Sequence, residues 1–400
     1  VSHFVAPVPG PDSGMERQAI IDLSAIANNI RHLREICAPA RFMAVVKADA
    51  YGHGAVQVAR TALAAGANWL GTAHVSEALA LRAAGIEAPL LAWLHTPATD
   101  FTAAVEQEID LGCSGWELDH IVAAARELQR PARVHLKIDT GLGRNGCSRS
   151  DWPALVAAAM DHQRQGLLRV VGVFSHLAVA DEPHRHETDE QLERFREAVA
   201  VAEEAGAELE VRHIANTPAT MSRPDSHFDM VRVGLGIYGL SPFADRTSAQ
   251  LGLVPAMTLQ TQMALCKDVP AGQGVSYGLN YATAAATTLG LVPLGYADGI
   301  PRVATGGPVR VNGTTYPVVG RIAMDQMVID LGPDARAGFT EPGSGVHAGT
   351  ALGATAELFG NGHDGGPLVE EWAAAAGTIN YEIVTRISGR VPRSYIGGTL

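Results

Sequence analysis

Eight short β-rich runs, separated by Ala- and Leu-rich stretches of helical spacing, constrain this chain more than any other feature. The runs are Phe42–Val46, Trp69–Thr72, Leu90–Leu94, Ile109–Cys113, Val134–Ile138, Val170–Phe174, Val211–Ile214 and Val231–Ile237. Ser76–Ala84, Trp116–Leu128, Asp151–His162 and Glu187–Ala205 lie between them and read as helices. Strands alternating with amphipathic helices are βαβ units, and these build a parallel sheet. Eight units within about 220 residues predict an α/β fold with a closed, TIM-like (β/α)8 barrel. Ile109–Cys113 is the least strand-like run, because it is short and carries the charged Asp110.

After about Ser241 the helical spacing fades. Met257–Val269, Thr287–Leu294, Val309–Gly320 and Met327–Leu331 read as strands of a C-terminal, mainly-β domain. Asn312-Gly313 sits between Val309–Val311 and Thr314–Tyr316 and predicts a two-residue hairpin turn. Ala335–Gly366 reads as a long loop, and Leu368–Ala376 as a helix before a β-like end. The expected division is a flexible tail at 1–15, a barrel at 16–245 and a β-rich domain at 246–400.

Charge and cysteine usage narrow the function. With 30 basic and 42 acidic residues the net charge is −12, which disfavours nucleic acid, whose phosphates need a basic face. No apolar run approaches the ~18 residues of a membrane span. The first residues lack a basic segment followed by an apolar one, which disfavours secretion. Cys37, Cys113, Cys147 and Cys266 form no C-x-x-C pair and read as reduced, buried thiols. The cytoplasm is the expected location.

Barrel active sites lie at the C-terminal ends of the strands, so the residues ending each run carry the chemistry. The first run ends at Lys47. Desolvation there would lower its pKa and make a Schiff-base nucleophile, although alone it reads first as a lysine snorkelling to water. The fifth run leads through Lys137 into Gly141-Leu142-Gly143-Arg144-Asn145-Gly146. These letters match a dinucleotide fingerprint, but no helix opens at once and no acid-ended strand follows. Arg144 reads equally as an anion ligand or an exposed structural arginine. The sixth run ends at His176, the seventh at Asn216-Thr217, and the eighth carries Arg232 with Gly234 and Gly236. Backbone and hydroxyl groups after the last two strands are where this fold holds phosphate. A buried lysine, a phosphate cup and permanent cations together suit pyridoxal 5′-phosphate, with its covalent link on Lys47 and its phosphate at Thr217 and Gly234. His184 and His186 are spaced H-x-H but lie in a polar loop, so no metal site is expected.

From Val45 to Gly54 (VVKADAYGHG) the chain resembles the cofactor motif of alanine racemases. Lys137–Gly146 (KIDTGLGRNG), Ser175–Asp181, Val231–Leu240 (VRVGLGIYGL), Val275–Gly278 (VSYG), Gly295–Gly299 (GYADG), Val319–Gln326 (VGRIAMDQ) and Asn380–Arg393 match in order. The resemblance runs from about Ile21 to Arg393.

The resemblance implies a racemase that interconverts L- and D-alanine on pyridoxal phosphate and supplies D-alanine for peptidoglycan. It implies a homodimer with shared active sites. Lys47 would hold the cofactor and serve as base on one face of the substrate Cα, and Tyr277 from the partner's β domain on the other. Racemisation removes a proton from one face and returns one to the other, so two bases are needed. Tyr51, Thr217, Gly234, Leu235 and Tyr381 would hold the cofactor's phosphate, Asn216 would also bind the cofactor, and Arg232 would pair with its pyridine nitrogen. Arginine gives up a proton reluctantly, leaving the ring a weaker electron sink and limiting side reactions. Arg144 would contact the phenolic oxygen and the substrate carboxylate, with Met324 helping through its backbone. His176 would bond Tyr277, and Asp325 would support the site. The lysine matching Lys137 carries a carbamate in some relatives, where it orients the arginine matching Arg144. Thr217 stands where serine is usual, Ala323 where cysteine is common, and Asp49 where many members have asparagine.

Competing readings are a racemase for serine, lysine or ornithine, a pyridoxal-phosphate decarboxylase, a non-catalytic pyridoxal-phosphate carrier, and a metal-dependent barrel hydrolase using Lys137, His176 and His213. Arg232 argues against the decarboxylase, which wants an acid at the ring nitrogen. Lys47 stands where the hydrolase would have H-x-H.

Overall fold

The computed structural model describes residues 16–335 and 351–398. The expected tail at 1–15 lies outside them. The chain forms two compact units, one of Ala25–Val254 and one joining the residues up to Ser24 with those from Pro255 onward.

The first unit is the barrel. Its strands, preceded in the chain by β1 (Arg17–Asp22), are β2 (Arg41–Val45), β3 (Trp69–Thr72), β4 (Leu90–Ala92), β5 (Ile109–Cys113), β6 (Ala132–Lys137), β7 (Leu168–Phe174), β8 (Val211–His213) and β9 (Met230–Val233). They form one parallel sheet in the order β8-β7-β6-β5-β4-β3-β2-β9. Its two ends nearly close, with Asp229 N donating to Arg212 O at 3.1 Å and Arg232 N to Ala215 O at 2.9 Å. Helices between the strands cover the outside, so β3, β4 and β5 are buried on both faces. This is why they read as continuous apolar runs rather than alternating ones. Met43, Trp69, Leu91, Val171, Val211 and Met230 pack as one buried cluster from six strands.

The eighth run departs most from the expected strand. β9 stops at Val233, Gly234 leaves the extended conformation (φ −105°, ψ −89°), and Leu235–Tyr238 forms a 3-10 turn.

The second unit contains β10 (Met257–Gln262), β11 (Leu265–Val269), β12 (Gly274–Val275), β13 (Tyr281–Ala282), β14 (Thr287–Val292), β15 (Pro308–Val311), β16 (Thr314–Val319), β17 (Met327–Gly332), β18 (Thr355–Phe359) and β19 (Arg393–Ile396). A nine-stranded sheet runs β11-β14-β17-β16-β15-β18-β10-β1-β19, and β12 pairs with β13. Asn312 (φ 49°) and Gly313 (φ 80°) make the expected hairpin turn between β15 and β16.

Two expectations need correction. Residues 16–24 do not begin the barrel, and the division falls after Val254 rather than 245. β1 instead pairs antiparallel with β10 (Ile21 with Met257) and parallel with β19 (Ala19 with Arg393). Ala335–Gly366 is not a loop throughout either, because β18 lies between β10 and β15. Residues 336–350 of that stretch lie outside the described ones. The C-terminal region also holds a second helix, Asn380–Arg386, after Val369–Ala376.

Trp372 ties the β unit together. It is fully buried, and its Nε1 donates to Leu358 O (2.7 Å) on β18 and to Pro308 O (3.0 Å) on β15. Trp372→Ala removes a large buried ring and two strand-to-helix hydrogen bonds, and should cost about 3–5 kcal/mol. Denaturant unfolding with a β-unit fluorescence probe measures it; a loss under ~1 kcal/mol would deny the ring this role.

Candidate active site

Lys47 leaves β2 at the barrel mouth on a left-handed turn. Ala48, Asp49, Ala50 and Tyr51 all have φ between 51° and 54°, a conformation that costs a non-glycine residue roughly 1–2 kcal/mol. Three side chains hold the turn. Glu77 accepts from Ala48 N (2.7 Å) and from Ala73 N and His74 N. Asp49 accepts from Ala55 N (2.7 Å). Tyr238 donates to Val45 O (2.8 Å), two residues before the lysine.

The centre of the mouth is cationic. Arg232, 6 % exposed, donates through Nη1 to His213 O (2.9 Å) and His213 Nδ1 (3.0 Å). Nη2 reaches Ser175 O (2.7 Å), Ile214 O and His176 Nδ1 (3.2 Å). These acceptors are all neutral, and burial lowers its pKa to about 9, so the guanidinium remains charged at neutral pH. Phe174 lies between groups: Lys137 Nζ and Arg232 Cζ lie 5.3 and 5.6 Å from its ring, and His213 stacks on it at 5.0 Å.

This cluster shifts the pKa values of its members. Burial, with Arg232 and Arg144 beside it, lowers Lys137 to about 8 against the opposing pull of Glu117 and Asp139. Burial lowers Lys47 too, aided by Arg144 and Arg232 and opposed by Glu77. His176 is pushed well below its ordinary value by burial and then by Arg232, Arg144, Lys137 and Lys47. The chain has only three lysines, and two of them belong to this one cluster.

Beside the cations lies a small cradle. Gly234 N and Gly236 N donate to Thr217 Oγ1 at 3.2 and 3.4 Å. A Cβ at Gly234 would run into Tyr51 Oη, so the glycine keeps that approach open. Asn216 caps the helix Thr217–Ser222, accepting from Ala219 N (3.2 Å), and Leu235 is buried behind.

Arg144 is exposed on the glycine-rich loop. Asp139 shapes that loop by accepting from Gly141 N and Gly143 N. At Gly146 a Cβ would come within 2.6 Å of Asp139 N. No helix opens on these glycines; the next one starts at Trp152, as expected for a loop that is not a dinucleotide fingerprint. Both His176 and His213 turn Nδ1 to Arg232, an arrangement unsuited to the metal ligands of the hydrolase alternative.

The other expected residues belong to the β unit. Tyr277 is 70 % exposed on the short turn Tyr277–Leu279, in which Gly278 and Leu279, like Ser276 just before it, have positive φ. Met324 is exposed, and Asp325 accepts from Arg390 Nη2 at 2.8 Å. Tyr381 is half-buried on the helix Asn380–Arg386.

Sequence reasoning missed several supporting groups. Glu77 is one. Gln191 is another, donating to Thr140 Oγ1 and His176 O. In the β unit, Tyr296 N and Ala297 N donate to Ala323 O and Met324 O, pinning the Met324–Asp325 loop. Asp298, fully buried, steadies this turn by accepting from Gly295 N (2.9 Å) and lies 3.5 Å from Arg390 Nε. The GYADG letters were the available signal.

Lys137 offers a direct test. With three lysines, 13C-dimethyl labelling gives few signals, and in cofactor-free protein one should titrate near 8. Arg232→Met should move it upward by removing a neighbouring cation. Titration of the Lys137 signal above 10 would refute the cation cluster.

Comparison with known proteins assigns the family. The "Alanine racemase, N-terminal domain" profile matches residues 21–242, and the "Alanine racemase, C-terminal domain" profile residues 256–395. The alanine racemase of Streptomyces coelicolor is 54 % identical over 96 % of this chain and 97 % of its own length. That of Beutenbergia cavernae is 53 % identical over 95 % and 98 %. The crystal structure of the Streptomyces lavendulae alanine racemase superposes with TM-score 0.92 at 52 % identity, covering 97 % of this chain and 99 % of that one. Matched in both halves and along nearly its full length, the chain belongs to the alanine racemases, isomerases that interconvert L- and D-alanine.

Proposed function

We propose that this chain racemises alanine with pyridoxal 5′-phosphate bound at the barrel mouth, as a cytoplasmic homodimer supplying D-alanine for peptidoglycan. The observation that carries the proposal is the convergence of four cations, Lys47, Lys137, Arg144 and Arg232, on His176, whose pKa all four help push well below its ordinary value. A concentration of positive charge with few opposing carboxylates fits an anionic ligand. The cradle of Thr217, Gly234 and Tyr51 fits its phosphate, with Asn216, Leu235 and Tyr381 completing that end. Pyridoxal phosphate supplies, when bound, an electron sink that acidifies the substrate's α-proton.

The chain's residues do the rest. Lys47 anchors the group and moves a proton at Nζ; its lowered pKa raises the neutral fraction able to accept one. Arg232, charged and fixed by its carbonyl partners, donates to the ring nitrogen. Arg144 would take the substrate carboxylate, with the Met324 backbone helping, and Asp325 is held in place by Arg390. Tyr277 moves the proton on the opposite face. Its exposure, together with that of Leu279 and Met324 in the same unit, supports its burial against a second copy of the chain, where His176 would bond it. Lys137, with its lowered pKa, is suited to form a carbamate that orients Arg144.

The test is D-alanine formation from L-alanine by purified protein, with and without pyridoxal phosphate, beside L-serine and L-ornithine. Fast turnover of alanine alone is expected; no turnover with cofactor bound would leave the carrier reading. Lys47→Ala should lose the cofactor's visible absorbance, and its retention would remove Lys47 as the anchor. Tyr277→Phe should keep the absorbance and lose racemisation chiefly from L to D; unchanged rates both ways would remove Tyr277 from the mechanism. Growth in 13C-bicarbonate buffer should add a carbamate resonance that Lys137→Ala lacks, and its absence from the parent protein would withdraw the carbamate.

A further inference from the structure

Asp110, the charge that makes β5 look least like a strand, begins a hydrogen-bonded chain across the barrel interior. Asp110 Oδ2 lies 3.2 Å from His135 Nε2, His135 Nδ1 lies 2.9 Å from His213 Nε2, and His213 Nδ1 lies 3.0 Å from Arg232 Nη1. All four side chains are buried. They come from β5, β6, β8 and β9, so rigid strands set the spacing. Period-two alternation along β6 puts Arg133, His135 and Lys137 on one face. Arg133 holds the far end, its Nε donating to Asp110 Oδ1 at 2.6 Å.

The two ends determine every proton between them. A guanidinium has only donors and a carboxylate only acceptors. His213 Nδ1 faces a donor, so it carries the lone pair and the proton sits on Nε2. That Nε2–H donates to His135 Nδ1, which is therefore also a lone pair. His135 then carries its proton on Nε2 and donates to Asp110. An added proton on either ring would set two donors against each other. Burial and the neighbouring Arg232 hold His213 well below its ordinary pKa, in keeping with a neutral ring.

We propose that Asp110 and His135 are positioning residues for Arg232: together they fix the His213 proton on Nε2, so that its Nδ1 lone pair holds one arm of the guanidinium. The role toward the cofactor rests on the reading of Arg232 given above; the proton assignment stands without it. Asp110→Asn breaks the device. An amide has one acceptor for the two carboxylate positions: Arg133 Nε, which can only donate, faces the Oδ1 position at 2.6 Å and takes the oxygen, and the amide N–H then turned to His135 at the Oδ2 position reverses its tautomer. His213 then presents Nδ1–H to Arg232, and that bond is lost.

The experiment is 15N NMR of histidine-labelled, cofactor-free protein, with His135 and His213 assigned by single replacement. In the parent protein both rings should carry their proton on Nε2, and His213 should not respond between pH 6 and 9. Asp110→Asn should abolish that pattern at His213, while Asp110→Glu restores it at least in part. A parent spectrum with His213 protonated on Nδ1 overturns the proposal, and so does an Asp110→Asn spectrum identical to the parent's. Should Asp110→Asn fail to fold, the parent spectrum alone decides. In the loaded enzyme, Asp110→Asn should lower kcat about tenfold, the scale of one hydrogen bond to a charge, with a much smaller change in the alanine KM. Parent protein with the expected tautomers but no racemisation would sink the functional reading and leave the proton assignment standing; racemisation with reversed tautomers would do the opposite.

Discussion

A guanidinium buried among neutral acceptors is the interaction on which the rest of the mouth depends. Removing a charge from water costs several kcal/mol even after relaxation. Arg232 offsets that cost with hydrogen bonds to three backbone carbonyls and two imidazoles. The carbonyls of Ser175, His213 and Ile214 lie at the ends of β7 and β8, beside the β8–β9 seam where the barrel closes only partly. A planar fork of donors satisfies several of these at once, which a lysine's single ammonium on a flexible stem cannot match in geometry. Neutral partners also leave the charge uncancelled, so its field reaches Lys47, Lys137 and His176 and lowers the pKa of each.

The scaffold divides its labour between rigid and strained parts. The strands bring Lys137, His213 and Arg232 to fixed places. Lys47 instead opens a four-residue left-handed turn that persists because Glu77, Asp49 and Tyr238 hold both ends. Strain of this kind collects where a side chain must be aimed. The β unit repeats the pattern, with Tyr277 on a turn of positive φ and the Met324 loop pinned by the backbone of Tyr296 and Ala297.

Much of this was legible in the chain. Barrel strands buried on both faces read as apolar runs, and Asn312-Gly313 named its own turn. What stayed hidden depends on distant pairing. β1 is a short segment whose partners, β10 and β19, lie more than half the chain away, so nothing local says that it leaves the barrel. β18 carries Glu357 and follows a glycine-rich stretch, so its composition resembled a loop. The end of β9 was misjudged because Leu235–Tyr238 continues the apolar letters while the backbone turns at Gly234. At the site, Lys47, Arg144 and Arg232 were readable from motif and strand end, but Glu77 and Gln191 act through Ala48 N, Thr140 Oγ1 and His176 O, which only folding brings near them; Asp298 lay within a motif that signalled it.

Net charge was a poor guide to this mouth. The chain carries −12 overall, yet two of its three lysines and two arginines share one partly desolvated space. Charges behind a low-dielectric wall interact more strongly than the same charges spread over a solvated surface. The acidic exterior sets solubility, while the local field sets what enters. In the proposed reaction, an amino-acid zwitterion entering that field would be turned carboxylate-first toward the arginines, with its ammonium kept from their side. Such orientation would precede the proposed proton transfers and fix which face of the Cα each proposed base reaches. On that proposal the same cations that help lower the lysine pKa values also set the substrate's pose, so replacing one to adjust basicity would alter the geometry as well.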